Sequence, residues 1–415
     1  MSSQNWVLSM RVLTVILLVF DLVSFLVHTN LASNESFARQ IRSSASMGRC
    51  LALWGPDQTT FSIDETIFDM TCFNNDGKLE SNHYFHVIIN CLVPMGPTIA
   101  MVINATVSDS HTKKKKAQMF TNAMNLNLWI RFLVPHAHVE TSKFFITGFA
   151  GKRIVRQPTI NVSSNYYSDY QPCVHFLREL GFMSLRSRLS KELTFPGLST
   201  IKILLIHRLK NSRDIQNWEE LKKQFADSHF NASLVTFEGN EDKQTTFLHF
   251  STADIVIGYH GAGLSNVVFC RPTTMIVELS TWLYGDDYCC PEFRYSKYVG
   301  WRSNRDIAVM IPVNWCTVFI PFSQSGFVHN QTLSPIKSFH IPDMDHFVKT
   351  SALYLIQDDI EAIFKLIEAH VNATHTNDLH RSSSYSWRNV VVGTGSDLDV
   401  YSNFGNCPSR KLRRK

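Results

Sequence analysis

No two cysteines in this sequence stand at Cys-x-x-Cys spacing, no internal repeat recurs along it, and neither sign of charge dominates it. Each absence excludes something. Without Cys-x-x-Cys pairs the usual tetrahedral zinc framework is missing, and the adjacent Cys289-Cys290 does not supply its spacing. Without a repeat there is no solenoid. A net charge of +5 is mild for 415 residues, and part of it sits in the terminal Arg410, Lys411, Arg413, Arg414 and Lys415. No basic face interleaved with stacking aromatics results, which argues against nucleic acid as a partner. The run Lys113–Lys116 reads as a solvated loop. The end SRKLRRK carries no KDEL-type retrieval signal, which leans towards the Golgi over the endoplasmic reticulum.

What is present is a globular composition. Hydrophobic residues make up 44% of the chain, with 29 Phe and 8 Trp, enough for two domains with substantial cores and too much for general disorder. After Arg11 comes VLTVILLVFDLVSFLV, apolar except for Thr14, Asp21 and Ser24. It reads as a signal-anchor helix over 12–28 behind a cytoplasmic tail, 1–11. A cleaved signal peptide, ending near Leu31-Ala32-Ser33, is the alternative. Either reading places the remainder in the secretory lumen, as a single-pass type II membrane protein in the first case. Six glycosylation sequons agree, at Asn34, Asn104, Asn161, Asn231, Asn330 and Asn372. So do nine cysteines, none in the apolar stretch, which predict a few disulfides and at least one thiol left over.

The punctuation divides the chain further. A Ser/Asn/Arg-rich stem covers 29–55, and 56–195 mixes apolar strands with helical stretches to form an N-terminal domain. There Phe85–Met95 is an apolar segment, Phe144–Phe149 reads as a strand, and Cys173–Leu180 as a helix that Gly181 stops. After Phe195-Pro196-Gly197 strands and helices alternate: IKILLIH, a helix opened by Asn217-Trp218, SLVTFE, a helix over Lys243–Phe250, ADIVIG, a short helix over Leu264–Phe269, and TMIVEL. Continuous apolar strands separated by short helices predict a parallel sheet covered on both faces, an α/β, Rossmann-like domain over 196–330. A segment 331–375 follows, with helical spacing over 351–370, and 376–415 reads as a polar tail.

The chemistry concentrates at His260-Gly261-Ala262-Gly263. It follows a strand and opens a helix, where glycines let the backbone approach a ligand and helical N–H groups face an anion such as a diphosphate. Glu278 ends the next strand, where a carboxylate can accept from ribose hydroxyls. Gly261-x-Gly263-x-x-Asn266 approaches a dinucleotide fingerprint, so an NAD-binding oxidoreductase is an alternative; Asn266 in place of glycine and the stop at Arg271-Pro272 oppose it. A glycine turn without any ligand is another.

Asp254, Gly258, His260 to Asn266, Phe269 and Glu278 together resemble the signature of glycosyltransferase family 61, which includes plant xylosyl- and arabinosyltransferases and animal N-acetylglucosaminyltransferases. Ile206-His207-Arg208, Arg213 and Asn217 match a second family segment in order. Asn82, His86, Asn90 and Pro94 match a third, with Asn82 one residue out of place and Asn90 where Asp is usual. The resemblance covers about 80–285. It implies a GT-B architecture, two Rossmann-like domains facing across a cleft, and inverting transfer from a UDP-sugar, GlcNAc first and xylose second, to a protein or glycan hydroxyl. His260, Gly261, Ala262, Gly263, Leu264, Ser265 and Asn266 would hold the donor diphosphate with Arg208 and Arg213, Glu278 the ribose, and Asn82 and Asn90 the acceptor side. His86 is the first candidate for general base, with His83, Asp64 and Glu65 as alternatives. No metal site or other cofactor is expected; Mn²⁺ belongs to a GT-A reading, for which Asp343-Met344-Asp345 and Asp397-Leu398-Asp399 have the form. A catalytically silent, nucleotide- or glycan-binding relative is the alternative from another class.

Overall fold

A computed structural model describes residues 44–54, 66–72, 87–108, 118–135, 138–141, 153–156, 170–189, 200–208, 213–228, 230–280, 313–320, 325–329, 332–335, 351–375 and 390–393. Outside these lie the apolar stretch 12–28, the expected strand Phe144–Phe149, His86, Asn82, His83, Asp64, Glu65, Lys113–Lys116, both Asp-x-Asp pairs, and sequons Asn34, Asn161 and Asn330. Among the described residues no helix is long and apolar enough to cross a membrane.

The N-terminal region starts with helix α1 (Ala45–Leu51), which Ser44 caps by accepting from the Met47 N–H. Strand β1 (Thr66–Asp69) and a π-helical turn (Val87–Leu92) precede α2 (Gly96–Ser108), β2 (Gln118–Thr121), α3 (Met124–Leu133), β3 (His138–Thr141), β4 (Arg153–Arg156) and α4 (Gln171–Leu189). The strands form a parallel four-stranded sheet in the order β3-β2-β1-β4. Disulfides join Cys50 to Cys173, tying α1 to α4, and Cys72 to Cys91.

Helix α4 does not stop at Gly181. The Phe247 ring lies so close that a Cβ at Gly181 would stand 2.2 Å from its Cε2, so the glycine is there for packing and the helix runs on to Leu189. This is a correction to its expected role as a C-cap.

The C-terminal region runs β5 (Ile201–Ile206), α5 (Trp218–Ala226), β6 (Ala232–Phe237), α6 (Lys243–Thr252), β7 (Ile255–Tyr259), a 3₁₀ helix (Ala262–Phe269), β8 (Met275–Ser280) and β9 (Asn314–Phe319). A hairpin of β10 (Ser325–His329) and β11 (Thr332–Pro335) follows, then β12 (Ala352–Leu353), α7 (Gln357–His375) and β13 (Val390–Gly393). The order β13-β9-β8-β7-β5-β6, parallel throughout, is the doubly wound arrangement in which strand order reverses between the first and third strands, here β5 and β7. The four strands β5 to β8 lie where the apolar runs put them.

Two further expectations are corrected. The helix expected over 351–370 begins at Gln357, because Ser351–Leu355 is extended and bonded to residues 213–217, and Asp359 receives the Ile356 N–H at 2.9 Å. The expected tail 376–415 contributes β13, whose β-branched Val390-Val391-Val392 pairs with β9.

Alternation along the strands sends side chains to opposite faces. Ile203, Leu205, Ile255, Ile257, Tyr259, Met275, Val277 and Leu279 pack with α5 and α7. Leu204, Ile206, Val256 and Ile276 join a second core that continues through α6 and the 3₁₀ helix into α3, α4 and the N-terminal elements. Trp129 of α3 lies 4.5 Å from Phe269, and Phe247 lies 5.4 Å from Phe269, so the two regions share one apolar interior.

Candidate functional site

Doubly wound sheets bind ligands beyond the carboxyl ends of the two strands where the order reverses. In this chain α5 leaves β5 towards one face, while α6 and the 3₁₀ helix cover the other. The crevice between β5 and β7 is therefore bounded by His207 and Arg208 on one side and by His260 and Gly261 on the other.

Gly261 adopts φ +157°, a conformation L side chains rarely enter. A Cβ there would stand 2.8 Å from Arg213 Nη1 and 3.1 Å from Arg208 Nη2. The bare glycine thus lets two guanidiniums close over the turn. Burial first and the adjacent Arg213 second lower the Arg208 guanidinium to about 10, with Tyr259 acting in the opposite direction. Two cations this close, one of them desolvated, form a place where an anion relieves repulsion.

The remaining residues of the turn build it. Gly258 and Gly263 both sit on Ile206, with built Cβ distances of 2.9 and 3.1 Å. Leu264, Ser265 and Asn266 are fully buried. The Ser265 hydroxyl donates to the Ala262 carbonyl at 2.7 Å, and the Asn266 amide donates to the Gly263 carbonyl at 3.1 Å. These three side chains therefore shape the helix start from beneath. Asp254 fastens the base of the unit, accepting from the Lys202 N–H at 2.8 Å and pairing with Arg271.

His260 donates its backbone N–H to the Leu279 carbonyl at 2.9 Å, and its Nδ1 meets the Glu278 carboxylate. Glu278 is only 2% exposed. As it stands, the carboxylate faces the imidazole from beneath, not an open place for a ribose. Reading the strand end alone missed this pairing. Its signal was available: Glu278 lies one residue from Leu279, which accepts from His260.

Arg208 and Arg213 come together at Gly261. Asn217 does not join them: its amide donates to the Leu355 carbonyl at 2.6 Å and accepts from the Leu355 N–H at 3.0 Å. Beside Arg208, His207 stacks on Trp218 at 4.4 Å and its Nε2 lies 3.2 Å from Asp214, whose carboxyl is raised by burial despite that partner. Asp214 was not singled out by motif, and His207 was named only within the segment Ile206-His207-Arg208, with no role of its own.

The N-terminal region reaches the same unit from behind. Arg178 of α4 donates to the Cys270 carbonyl at 2.9 Å, closing the negative end of the 3₁₀ helix. The π-helical turn packs against that helix, and Asn90 sits half-buried on it. π-Helical turns are frequent at functional sites.

Residues 84–277 match the family model described as Glycosyltransferase 61. Residues 84–277 are thus a glycosyltransferase family 61 domain. The matched span takes in Asn90, Arg208, Arg213 and the whole His260–Asn266 turn, and stops one residue short of Glu278. No curated protein matches the chain. The family 61 domain thus holds the paired arginines and the glycine turn, while Ser351–Leu355, which touches the Arg213 loop, lies outside it.

Proposed function

We propose that this family 61 transferase moves a sugar from a UDP-sugar, GlcNAc first and xylose second, to a protein or glycan hydroxyl with inversion, in the secretory lumen. The observation that carries the proposal is the convergence of Arg208 and Arg213 on Gly261 at the β5/β7 reversal. In an inverting step the acceptor oxygen attacks the anomeric carbon as the bond to the phosphate oxygen breaks. The electron pair leaves on the diphosphate, and the acceptor proton passes to a base. The two guanidiniums and the first N–H groups of the 3₁₀ helix neutralise the departing charge without reorganising. Arg208 stays charged at neutral pH, since its lowered value is still about 10.

His260 lines the turn with its ring fixed by Glu278, so in this arrangement Glu278 serves the site by orienting the imidazole. Ribose binding by Glu278 would have to draw its carboxylate away from that partner. His86, which directly precedes the π-helical turn in sequence, is the proposed base. The two parallel sheets support a GT-B reading, with the donor on the larger one. The two disulfides and the exposed sequon Asn231 support the lumenal reading, with 12–28 as anchor and the Golgi as location. No metal is assigned a step.

Asn90, where the family pattern has Asp, favours one second reading: a silent relative that binds donor without turnover. Titrating the purified protein with UDP, and separately with NAD, without and with Mn²⁺, tests the proposal. Metal-independent UDP binding, followed by slow hydrolysis of one UDP-sugar, is expected. Binding without hydrolysis of any UDP-sugar favours the silent relative. Binding that strictly needs Mn²⁺ returns the Asp-x-Asp pairs, a preference for NAD returns the oxidoreductase, and no UDP binding in any condition overturns the donor site.

A further inference from the structure

The segment Ser351–Leu355 lies beyond the family 61 span and pairs with β10, yet three of its backbone bonds run to the loop that carries Arg213. Arg213 has φ 58°, the only left-handed non-glycine backbone among the described residues. Such a conformation is costly and persists only where surrounding contacts over-determine it. The contacts that do so here come from 351–355. The Arg213 N–H donates to the Ser351 carbonyl at 2.7 Å, the Leu353 N–H to the Asp214 carbonyl at 2.8 Å, and the Gln216 N–H to the Leu353 carbonyl at 2.7 Å. Ile215 bridges Leu353 as a parallel pair, and the Asn217 amide grips both backbone groups of Leu355.

Ser351 is itself held. Its hydroxyl meets the Tyr259 hydroxyl at 2.9 Å, with both residues buried. Tyr259 ends β7 and directly precedes His260. A closed circuit results: the end of β7 holds Ser351 through Tyr259, Ser351 holds the Arg213 backbone, and the Arg213 guanidinium returns to Gly261, two residues beyond Tyr259.

We infer that Ser351–Leu355 is a strap for the donor site, and that Tyr259 and Ser351 are positioning residues that set Arg213 against the diphosphate. The inference rests on the donor-site reading above. Packing of the strap explains Leu353 and Leu355, which are buried in the core beside α5 and α7. It does not require a hydroxyl pair spanning to the strand that precedes the glycine turn. The circuit does.

The test is a double-mutant cycle on the full-length protein with UDP as the probe. Tyr259→Phe removes only the hydroxyl and keeps the ring in its core. UDP affinity is expected to fall about fivefold, the usual worth of one buried neutral hydrogen bond. Arg213→Ala is expected to weaken UDP by about tenfold or more, as loss of a charge-assisted contact. In the Arg213→Ala background, adding Tyr259→Phe should cost clearly less than it does in the wild type, because the part of its effect that runs through Ser351 and Arg213 is gone. Ser351→Ala repeats the cycle independently should either variant fold poorly. An unchanged affinity in both Tyr259→Phe and Ser351→Ala overturns the strap, as does an equal further loss in the Arg213→Ala background, which marks a merely structural role. If UDP binds the wild type but Arg213→Ala has no effect, the arginine assignment falls and the strap with it. If Arg213→Ala weakens UDP and the hydroxyl variants do not, the donor site stands without the strap.

Discussion

The two parallel sheets of this protein hold themselves together differently. The N-terminal sheet is built from four-residue strands of mixed character (TIFD, QMFT, HVET, RIVR), and both disulfides among the described residues lie in its region. The C-terminal sheet has strands of five or six mostly apolar residues at its centre, and its described free cysteine, Cys270, is a fully buried thiol raised by desolvation. Long apolar strands supply their own stabilisation at roughly 25 cal/mol per Å² removed from water. The two described disulfides instead brace the elements around the shorter sheet, joining α1 to α4 and Cys72 to Cys91. The His260–Asn266 turn follows β7, on the larger sheet.

Four experiments sharpen or break this contrast. The largest effect is expected from Cys50→Ser with Cys173→Ser. In the chain-entropy account, closing a loop of 123 residues is worth about 4–5 kcal/mol, so denaturant unfolding should move by roughly that amount. A loss under 1 kcal/mol would show that the N-terminal region does not depend on its staple.

Acid should act mainly on the other sheet. Burial lowers His370 of α7 from 6.5 to about 4, so between these values the unfolded chain binds a proton that the folded one does not. This contribution is present above pH 6.5 and lost as pH falls towards 4, by an amount on the order of 3 kcal/mol. His370→Gln should flatten that part of a pH–stability curve, and an unchanged slope would refute the assignment.

Gly181→Val tests the seam between the regions. The added atoms meet the Phe247 ring, and overpacking of this kind costs about 1–3 kcal/mol. Calorimetry should show one lowered transition if the shared core makes the regions cooperative. Two separated transitions would mean independent units. The smallest effect is expected from Arg208→Lys, which keeps charge but loses the planar fork. UDP affinity should fall by roughly threefold to tenfold with melting temperature unchanged. Equal affinity would mean that Arg208 contributes only its charge.

Legibility in the sequence follows the same division. Strands β5 to β8 were readable because strands buried on both faces are continuous apolar runs, and the turn was readable because glycines and histidine after such a strand have few other uses. Arg208 and Arg213 were placed by resemblance, and the structure brings them together on Gly261. What stayed hidden depends on partners distant in sequence. Gly181 looks like a helix stop until Phe247 is seen against it. Ser351–Leu355 continues a helical spacing and becomes extended only because residues 213–217 offer it hydrogen bonds. Glu278 reads as a solvent-facing acid at a strand end until His260 is found beside it. Val390–Gly393 lies in polar surroundings and becomes a strand because β9 presents an edge.

The contact of Trp129 with Phe269 and the bond from Arg178 to the Cys270 carbonyl bear on how such enzymes can be recombined. A chimera joined near residue 195, between the two parallel sheets in sequence, would cut the 3₁₀ helix off from the two helices that brace its back. The graft would inherit the glycine turn without its support. An exchange that retains α3 and α4 of the host, and replaces the strands and loops of the smaller sheet alone, keeps that support.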